Sequence, residues 1–325
     1  MTLKKVEEGI YAQESIANEI RDIDGIIFDC DGVLVDVSNS YDLAIQRATA
    51  YILKEIANIS KFDPVTSKII DGFKATGGFN DEVDLTYAAI LSLAAANNLK
   101  KPGNQFVFEV IKNADQTGIK SVEKFLDNSN IDITVLKKKL NYPGRHLDNL
   151  LYSIFDQIFY GPKLYFKLFK KNSNFTEQGL IENDIVLLKK ELLKILKKKI
   201  GNKIAIVSGR GIESIRYSLE ELLDEFDIEN SVFLEDESRE LAKPNPNSLI
   251  RTFKGIGSLH CLYVGDSMED FIMAKKATEM GNKITFCGII GTSKYPKEKK
   301  KLFEEKNVPL ILNSIGLLPK ALNLV

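Results

Sequence analysis

Ile26-Ile27-Phe28-Asp29-Cys30-Asp31-Gly32-Val33-Leu34-Val35-Asp36 decides how the rest of the chain is read. An apolar run ends at two aspartates one residue apart, followed by a glycine that reaches backbone angles other residues avoid. The pattern predicts a buried strand that hands acids to a loop. On a continuing strand Asp29 and Asp31 would share a face. Gly32 predicts a break there instead, which frees the two carboxylates for different tasks.

Such a strand needs neighbours, and the second half of the chain supplies them. Short apolar runs at 203–207, 231–234, 261–264, 284–287 and 309–312 alternate with helical patterns such as 212–226 and 268–280. Strands alternating with helices imply right-handed crossovers and a parallel sheet covered on both faces. The intervening tract has helical spacing almost throughout, at 41–59, 81–98, 104–114, 120–140, 146–159 and 182–200. Asp63-Pro64 is expected to open a further helix, with proline in its first turn. Tyr142-Pro143-Gly144 and Tyr160-Gly161-Pro162 are expected to be turns. Residues 1–20 read as a short amphipathic helix or arm. The predicted class is α/β, a Rossmann-like parallel sheet with helices on both faces plus an inserted all-α cap domain. Residues 21–38 and 202–325 form the α/β core, and 39–201 the helical insertion.

The 325 residues, 44% of them hydrophobic, can bury a large core. Forty-four basic side chains against forty-five acidic leave a net charge of −1, so no global field recruits nucleic acid or an acidic membrane. Cys30, Cys261 and Cys287 sit in or beside apolar runs and read as buried reduced thiols, which points to a cytoplasmic protein. No apolar run reaches the ~18 residues that span a bilayer, and residues 1–20 do not read as a signal peptide. The lysine runs at 137–139, 197–199 and 299–301 read as solvated helix faces, and His146 and His260 as packing or surface residues.

Polar residues follow the predicted strands. Asp29 and Asp31 follow the first, Ser208-Gly209-Arg210-Gly211 the second, Lys243-Pro244 comes after the third, and Gly265-Asp266-Ser267-Met268-Glu269-Asp270 follows the fourth. In an open parallel sheet all such ends lie along one edge, where ligands bind near the switch in strand order. Singly, each segment is an ordinary cap or turn. A calcium loop at Asp29–Asp31 would need further oxygen ligands where Val33, Leu34 and Val35 stand. Four aspartates brought together repel by roughly 4 kcal/mol per close pair, so the cluster needs a counter-ion, and a hard divalent cation such as Mg²⁺ suits it. Lys243, the Ser208 hydroxyl and the N–H groups of the helix start after Gly211 would add a phosphate pocket.

These four segments, in this order, resemble the haloacid dehalogenase superfamily of phosphohydrolases. The subgroup is the first subfamily, phosphoglycolate-phosphatase-like, whose helical cap is inserted after the first strand. The resemblance covers the sheet domain, while this cap is roughly twice the length usual in the subgroup. It implies that Asp29 is the nucleophile that forms an aspartyl-phosphate and that Asp31 is the general acid and base. It also implies that Ser208 and Lys243 hold phosphoryl oxygens, with Gly209 and Arg210 candidate phosphate contacts beside them, and that Asp29, Asp31, Asp266 and Asp270 hold Mg²⁺, Asp270 through water or by orienting Lys243. Arg210 and Asn245 are left without a fixed role. Asp31 favours phosphate esters, because a dehalogenase acting on carbon has no alkoxide to protonate. A sugar phosphomutase of the same family and a non-catalytic phospho-aspartate switch are the alternatives. Lys74 and Asn80, on a glycine-bearing loop of the cap, are candidate substrate contacts. The expected partner is a small phosphorylated metabolite, with no nucleic acid or membrane, for a monomer or homodimer.

Overall fold

The computed structural model describes residues 3–79, 81–129, 131–144 and 148–324. The chain divides into two compact units, Met1–Ser38 with Ile185–Val325, and Asn39–Asp184. The strands are β1 (Leu3–Glu7), β2 (Ile10–Gln13), β3 (Gly25–Phe28), β4 (Val35–Asp36), β5 (Ile185–Val186), β6 (Ile204–Ser208), β7 (Val232–Phe233), β8 (Cys261–Gly265), β9 (Ile284–Ile289) and β10 (Leu310–Leu312). Eight of them form one sheet in the order β1-β2-β10-β9-β8-β3-β6-β7. From β10 to β7 every neighbouring pair is parallel, and β2 pairs antiparallel with both β10 and β1.

β3 is buried on both faces, with Ile26, Ile27 and Phe28 all at 0% exposure. Removing each such side chain from water contributes about 1.5–3 kcal/mol, before the entropy of ordering it is subtracted. Ile27 shares a core with Val207, Tyr263, Phe286, Phe303 and Ile311. β4 and β5 pair antiparallel as a separate ribbon, Val35 opposite Val186 and Asp36 opposite Ile185. The segments leading into and out of the insertion are thereby tied together.

Residues 3–20 differ from the helix or arm expected over 1–20. β1 and β2 form a hairpin around Gly9, whose φ of 76° favours glycine. β10 would otherwise be an open sheet edge, and pairing with β2 satisfies its backbone groups, a gain an isolated short helix cannot match. Helix is confined to Ile16–Glu19 and a 3₁₀ turn at Ile20–Asp22. At the other junction, 182–200 is not one helix. A 3₁₀ turn at Leu180–Asn183 and β5 precede the helix Lys190–Ile200, which lies in the sheet unit and buries Leu192, Leu193, Leu196 and Ile200.

The helical unit is built around Glu82–Leu99, buried on nearly every side. Its N-terminus is capped by Asp81, whose Oδ1 accepts from the N–H groups of Val83 (2.8 Å) and Asp84 (3.4 Å). Tyr41–Tyr51, Gly103–Asn113 and Ile119–Asn128 pack on it, and Tyr41 stacks on Phe159 at 4.3 Å between ring centroids. Two boundaries depart from the sequence reading. Asp63-Pro64 opens no helix, and the next one, Ser67–Ala75, starts where the Thr66 hydroxyl accepts from the N–H of Ile69. The tract 120–140 splits into Ile119–Asn128 and Thr134–Leu140. The expected turn Tyr160-Gly161-Pro162 stands inside Leu150–Phe169, where two helical stretches meet: Gly161 is non-helical (φ 67°, ψ 171°), a conformation that favours glycine, and Pro162 begins the second stretch.

Candidate active site

β3 lies between β6 and β8, so the C-terminal ends of the three strands share one rim. Phe28 stands opposite Ile206 on one side and Val264 on the other. The order reverses at β3, because the chain goes on to β6 and β7 on one side and returns to β8 on the other. Asp29 follows directly. Its N–H donates to the Val264 carbonyl at 2.8 Å, and its Oδ1 accepts from the Cys30 N–H at 2.8 Å. The loop then turns at Gly32 (φ 72°), where an added Cβ would stand 2.4 Å from the Asp266 carboxyl carbon. Glycine is required twice there, for the backbone angle and for the close approach.

Lys243 joins the first and fourth segments. Its Nζ lies 2.9 Å from Asp29 Oδ1 and 2.7 Å from Asp270 Oδ1, and all three side chains are at most 4% exposed. Asp270 has both oxygens engaged. Oδ1 also accepts from the Tyr263 hydroxyl at 2.6 Å, and Oδ2 accepts from the N–H of Asp266 (3.2 Å), the N–H of Ser267 (3.0 Å) and the Ser267 hydroxyl (2.8 Å). Ser267 Oγ in turn accepts from the Asp270 N–H, closing a capping box that starts the helix Met268–Glu279. One local motif thus fixes both the helix start and the carboxylate that aims Lys243.

The buried charges do not titrate alike. Burial pushes the Asp29 carboxyl well above the usual carboxylate range; Lys243 opposes this, while Asp270, Asp31 and Asp266 add to it. Burial would also raise Asp270, but the charge and hydrogen bond of Lys243, with the hydrogen bonds of Tyr263 and Ser267, outweigh it and hold that carboxyl low. For Lys243, burial is outweighed by the two carboxylates, which keep the ammonium charged.

Two more cations meet the remaining acids. Arg210, 2% exposed, places Nε 2.7 Å from Asp31 Oδ1 and donates from Nη1 to the Ser218 hydroxyl at 3.0 Å. Lys299 Nζ lies 2.6 Å from Asp266 Oδ2, and the Thr292 hydroxyl donates to the Gly32 carbonyl at 2.8 Å. After β6, the Ser208 hydroxyl oxygen accepts from the Arg210 N–H at 3.2 Å. The N–H groups of Gly211 and Ile212 donate to Glu235 Oε2 and Asp236 Oδ2, both at 2.8 Å. Those two donors, expected to face phosphate, are occupied by carboxylates. Gly209 is exposed beside the buried Ser208. Asn245 serves its own turn, donating to the Glu240 carbonyl and accepting from the Asn247 N–H.

Lys74 belongs to the helical unit, at the end of the helix Ser67–Ala75, 3.0 Å from Glu82 Oε1. Asn80 and His146 lie outside the described residues. His260 is buried, with Nε2 2.9 Å from the Thr285 hydroxyl, and packs between strands. Sequence reasoning missed Tyr263, Glu235, Asp236, Thr292 and Lys299. A tyrosine inside a buried strand is a signal, since its hydroxyl must find a partner. Nothing in the run Lys297-Glu298-Lys299-Lys300-Lys301 singles out Lys299.

Asp29, Asp266 and Asp270 offer carboxylate oxygens within 4.8 Å of one another. An all-oxygen donor set, with Asp29 pushed up by burial and further by the charges of Asp270, Asp31 and Asp266, fits a hard divalent cation.

A family model for haloacid dehalogenase-like hydrolases matches residues 23–278, a span that holds β3, β6, β8 and all four polar segments. The chain belongs to that family. None of the curated proteins compared with this hydrolase matches its sequence. Among solved structures it is similar to the phosphatase Tt82 from Thermococcus thioreducens, with 19% identity and a TM-score of 0.53 over 83% of this chain and 94% of that one. It is also similar to a HAD family hydrolase from Deinococcus radiodurans R1 with bound phosphate and sodium, at 15% identity and TM-score 0.46 over 94% and 98% of the two chains. A third is the beta-phosphoglucomutase from Clostridium difficile, at 15% identity and TM-score 0.41 over 93% and 97%. At these identities the likeness is one of fold.

Proposed function

We propose that this hydrolase is a Mg²⁺-dependent phosphatase that cleaves a small phosphate monoester through an aspartyl-phosphate on Asp29. The observation that carries the reading is the buried bridge Asp29–Lys243–Asp270 at the rim, next to the Asp31–Arg210 pair. A lysine and two carboxylates are costly to bury, and such a group persists where chemistry uses it.

In this reading Asp29 attacks phosphorus, and Lys243 keeps its carboxylate in line and receives a phosphoryl oxygen. The Ser208 hydroxyl and the Gly209 N–H hold further oxygens. Asp31, oriented by Arg210, protonates the leaving oxygen and then takes a proton from the water that hydrolyses the intermediate. Asp29, the Asp31 carbonyl and Asp266 would hold Mg²⁺, which when bound supplies charge neutralisation for the phosphoryl group. Asp270, with both oxygens engaged, orients Lys243. The helical unit acts as the cap that selects the ester, with Lys74 and Asn80 among its contacts. The buried cysteines Cys30, Cys261 and Cys287 suit a reducing, cytoplasmic setting. No described helix is long and apolar enough to cross a membrane.

The test is phosphate release from a panel of phosphorylated metabolites with Mg²⁺ present. Turnover that stops with EDTA and falls by at least about 10³-fold in Asp29→Asn is expected. No release from any ester, or full activity in Asp29→Asn, overturns the reading.

A further inference from the structure

The helix Pro296–Glu305 carries a row of lysines whose members have different surroundings. Lys301 is 78% exposed in its side chain and Lys300 sits 4.2 Å above the Tyr11 ring, whereas Lys299 turns inward to Asp266 at 2.6 Å, its side chain 17% exposed. The element that delivers it is held at two points. Phe303, on the same helix, is fully buried against Gly288, where an added Cβ would stand 2.5 Å from its ring. Before the helix, the Thr292 hydroxyl is bonded to the Gly32 carbonyl at 2.8 Å. The ammonium is therefore brought to the rim by a fixed element, and it meets the one acid of the cluster that Lys243 and Arg210 do not pair.

We propose that Lys299 is a tethered counter-ion of Asp266: it neutralises this carboxylate in the metal-free enzyme and competes with the divalent cation for it. Lys299 is thus a positioning residue that sets metal affinity. This rests on the reading of Asp266 as a metal ligand. A cation that binds this carboxylate must share it with an ammonium already held on Oδ2 at hydrogen-bond distance, and the charge of a partly buried ion pair opposes that binding more than an exposed one would.

The experiment is calorimetric titration of Mg²⁺ into the full chain after dialysis against EDTA, with melting temperatures measured before and after. Lys299→Met, which keeps the length and loses the charge, is expected to bind Mg²⁺ about tenfold more tightly and to melt lower when metal-free, the response to losing one partly buried ion pair. Lys301→Met removes the same charge two residues on and is expected to leave the Kd at the wild-type value. A Kd in Lys299→Met that is unchanged or weaker overturns the proposal, as does an equal gain in Lys301→Met. If Lys299→Met does not fold, Lys299→Gln answers the same question. Mg²⁺ binding that is absent in the wild type, or kept in Asp266→Asn, defeats the metal reading together with this one. Binding lost in Asp266→Asn but indifferent to Lys299 defeats only the counter-ion role.

Discussion

Along the rim of the sheet unit the buried charges find partners far away in sequence, whereas on the central helix Glu82–Leu99 the buried hydroxyls of Thr86 and Ser92 are satisfied within their own helix. Asp29 pairs with Lys243, more than two hundred residues on, with both side chains nearly inaccessible. By contrast Thr86 donates to the Glu82 carbonyl at 2.7 Å and Ser92 to the Ala88 carbonyl at 2.6 Å, each one helical turn back. A hydroxyl that bonds its own helix costs little and carries no information about function. A buried ion pair built across the fold costs desolvation on both sides and leaves a stranded charge if either partner goes. The difference separates a scaffold from a site.

Lys243→Met tests the contrast most severely. It strands Asp29 and Asp270, so unfolding in urea is expected to show a loss of about 3–5 kcal/mol, and turnover should disappear. A loss below about 1 kcal/mol would put this pair on a level with surface bridges. Gly32→Ala is next. The new Cβ meets Asp266 at a positive φ, and a loss of at least about 2 kcal/mol with weakened turnover is expected from strain and overpacking.

The opposite ends of the same strands give an intermediate case. Asp24 precedes β3 and accepts from the Ser258 hydroxyl and the N–H groups of Leu259 and His260, with Lys203 at 2.7 Å. Burial would raise its carboxyl, but Lys203 and the three donors outweigh it and hold it well below the usual range. A carboxyl with a lowered folded pKa stabilises above its ordinary value of about 3.9, and that contribution disappears as pH falls through the folded value. Asp24→Asn should therefore cost about 1–2 kcal/mol at neutral pH, trimmed by solvent at this half-open position, and the gap from wild type should close below about pH 4. A gap that widens on acidification would reverse the sign of this assignment.

The smallest effects belong to the helical unit. Thr86→Val and Lys74→Met are each expected to change stability by about 1 kcal/mol or less. A loss of more than about 2 kcal/mol from Thr86→Val in thermal or urea unfolding would erase the distinction between local and long-range satisfaction.

The residues that meet at the rim were legible because each follows an apolar strand, Lys243 at a distance of ten residues and the others closely, so position along the chain translates into position along the sheet edge. Asp29, Asp31, Ser208, Lys243, Asp266 and Asp270 were all found that way. What escaped depends on contacts with no local signature. Lys299 reaches Asp266 only because Phe303 and Thr292 hold the helix at one rotation, and Glu235 and Asp236 take the N–H groups of Gly211 and Ile212 from a different strand end. The N-terminal hairpin was missed for a related reason. Its pairing partner, β10, lies some three hundred residues away, and until that edge is known Gly9 is an ambiguous break.

The β4–β5 ribbon has a consequence for how the molecule can vary. Asp36 and Ile185 are paired across it, so the points where the chain departs and comes back are about 5 Å apart, a gap that a two-residue hairpin turn would bridge. Everything between behaves as a cassette spliced into a closed loop. Its length and content can drift, or be exchanged for another module, without moving Asp29 on one side of the splice or Ser208 on the other.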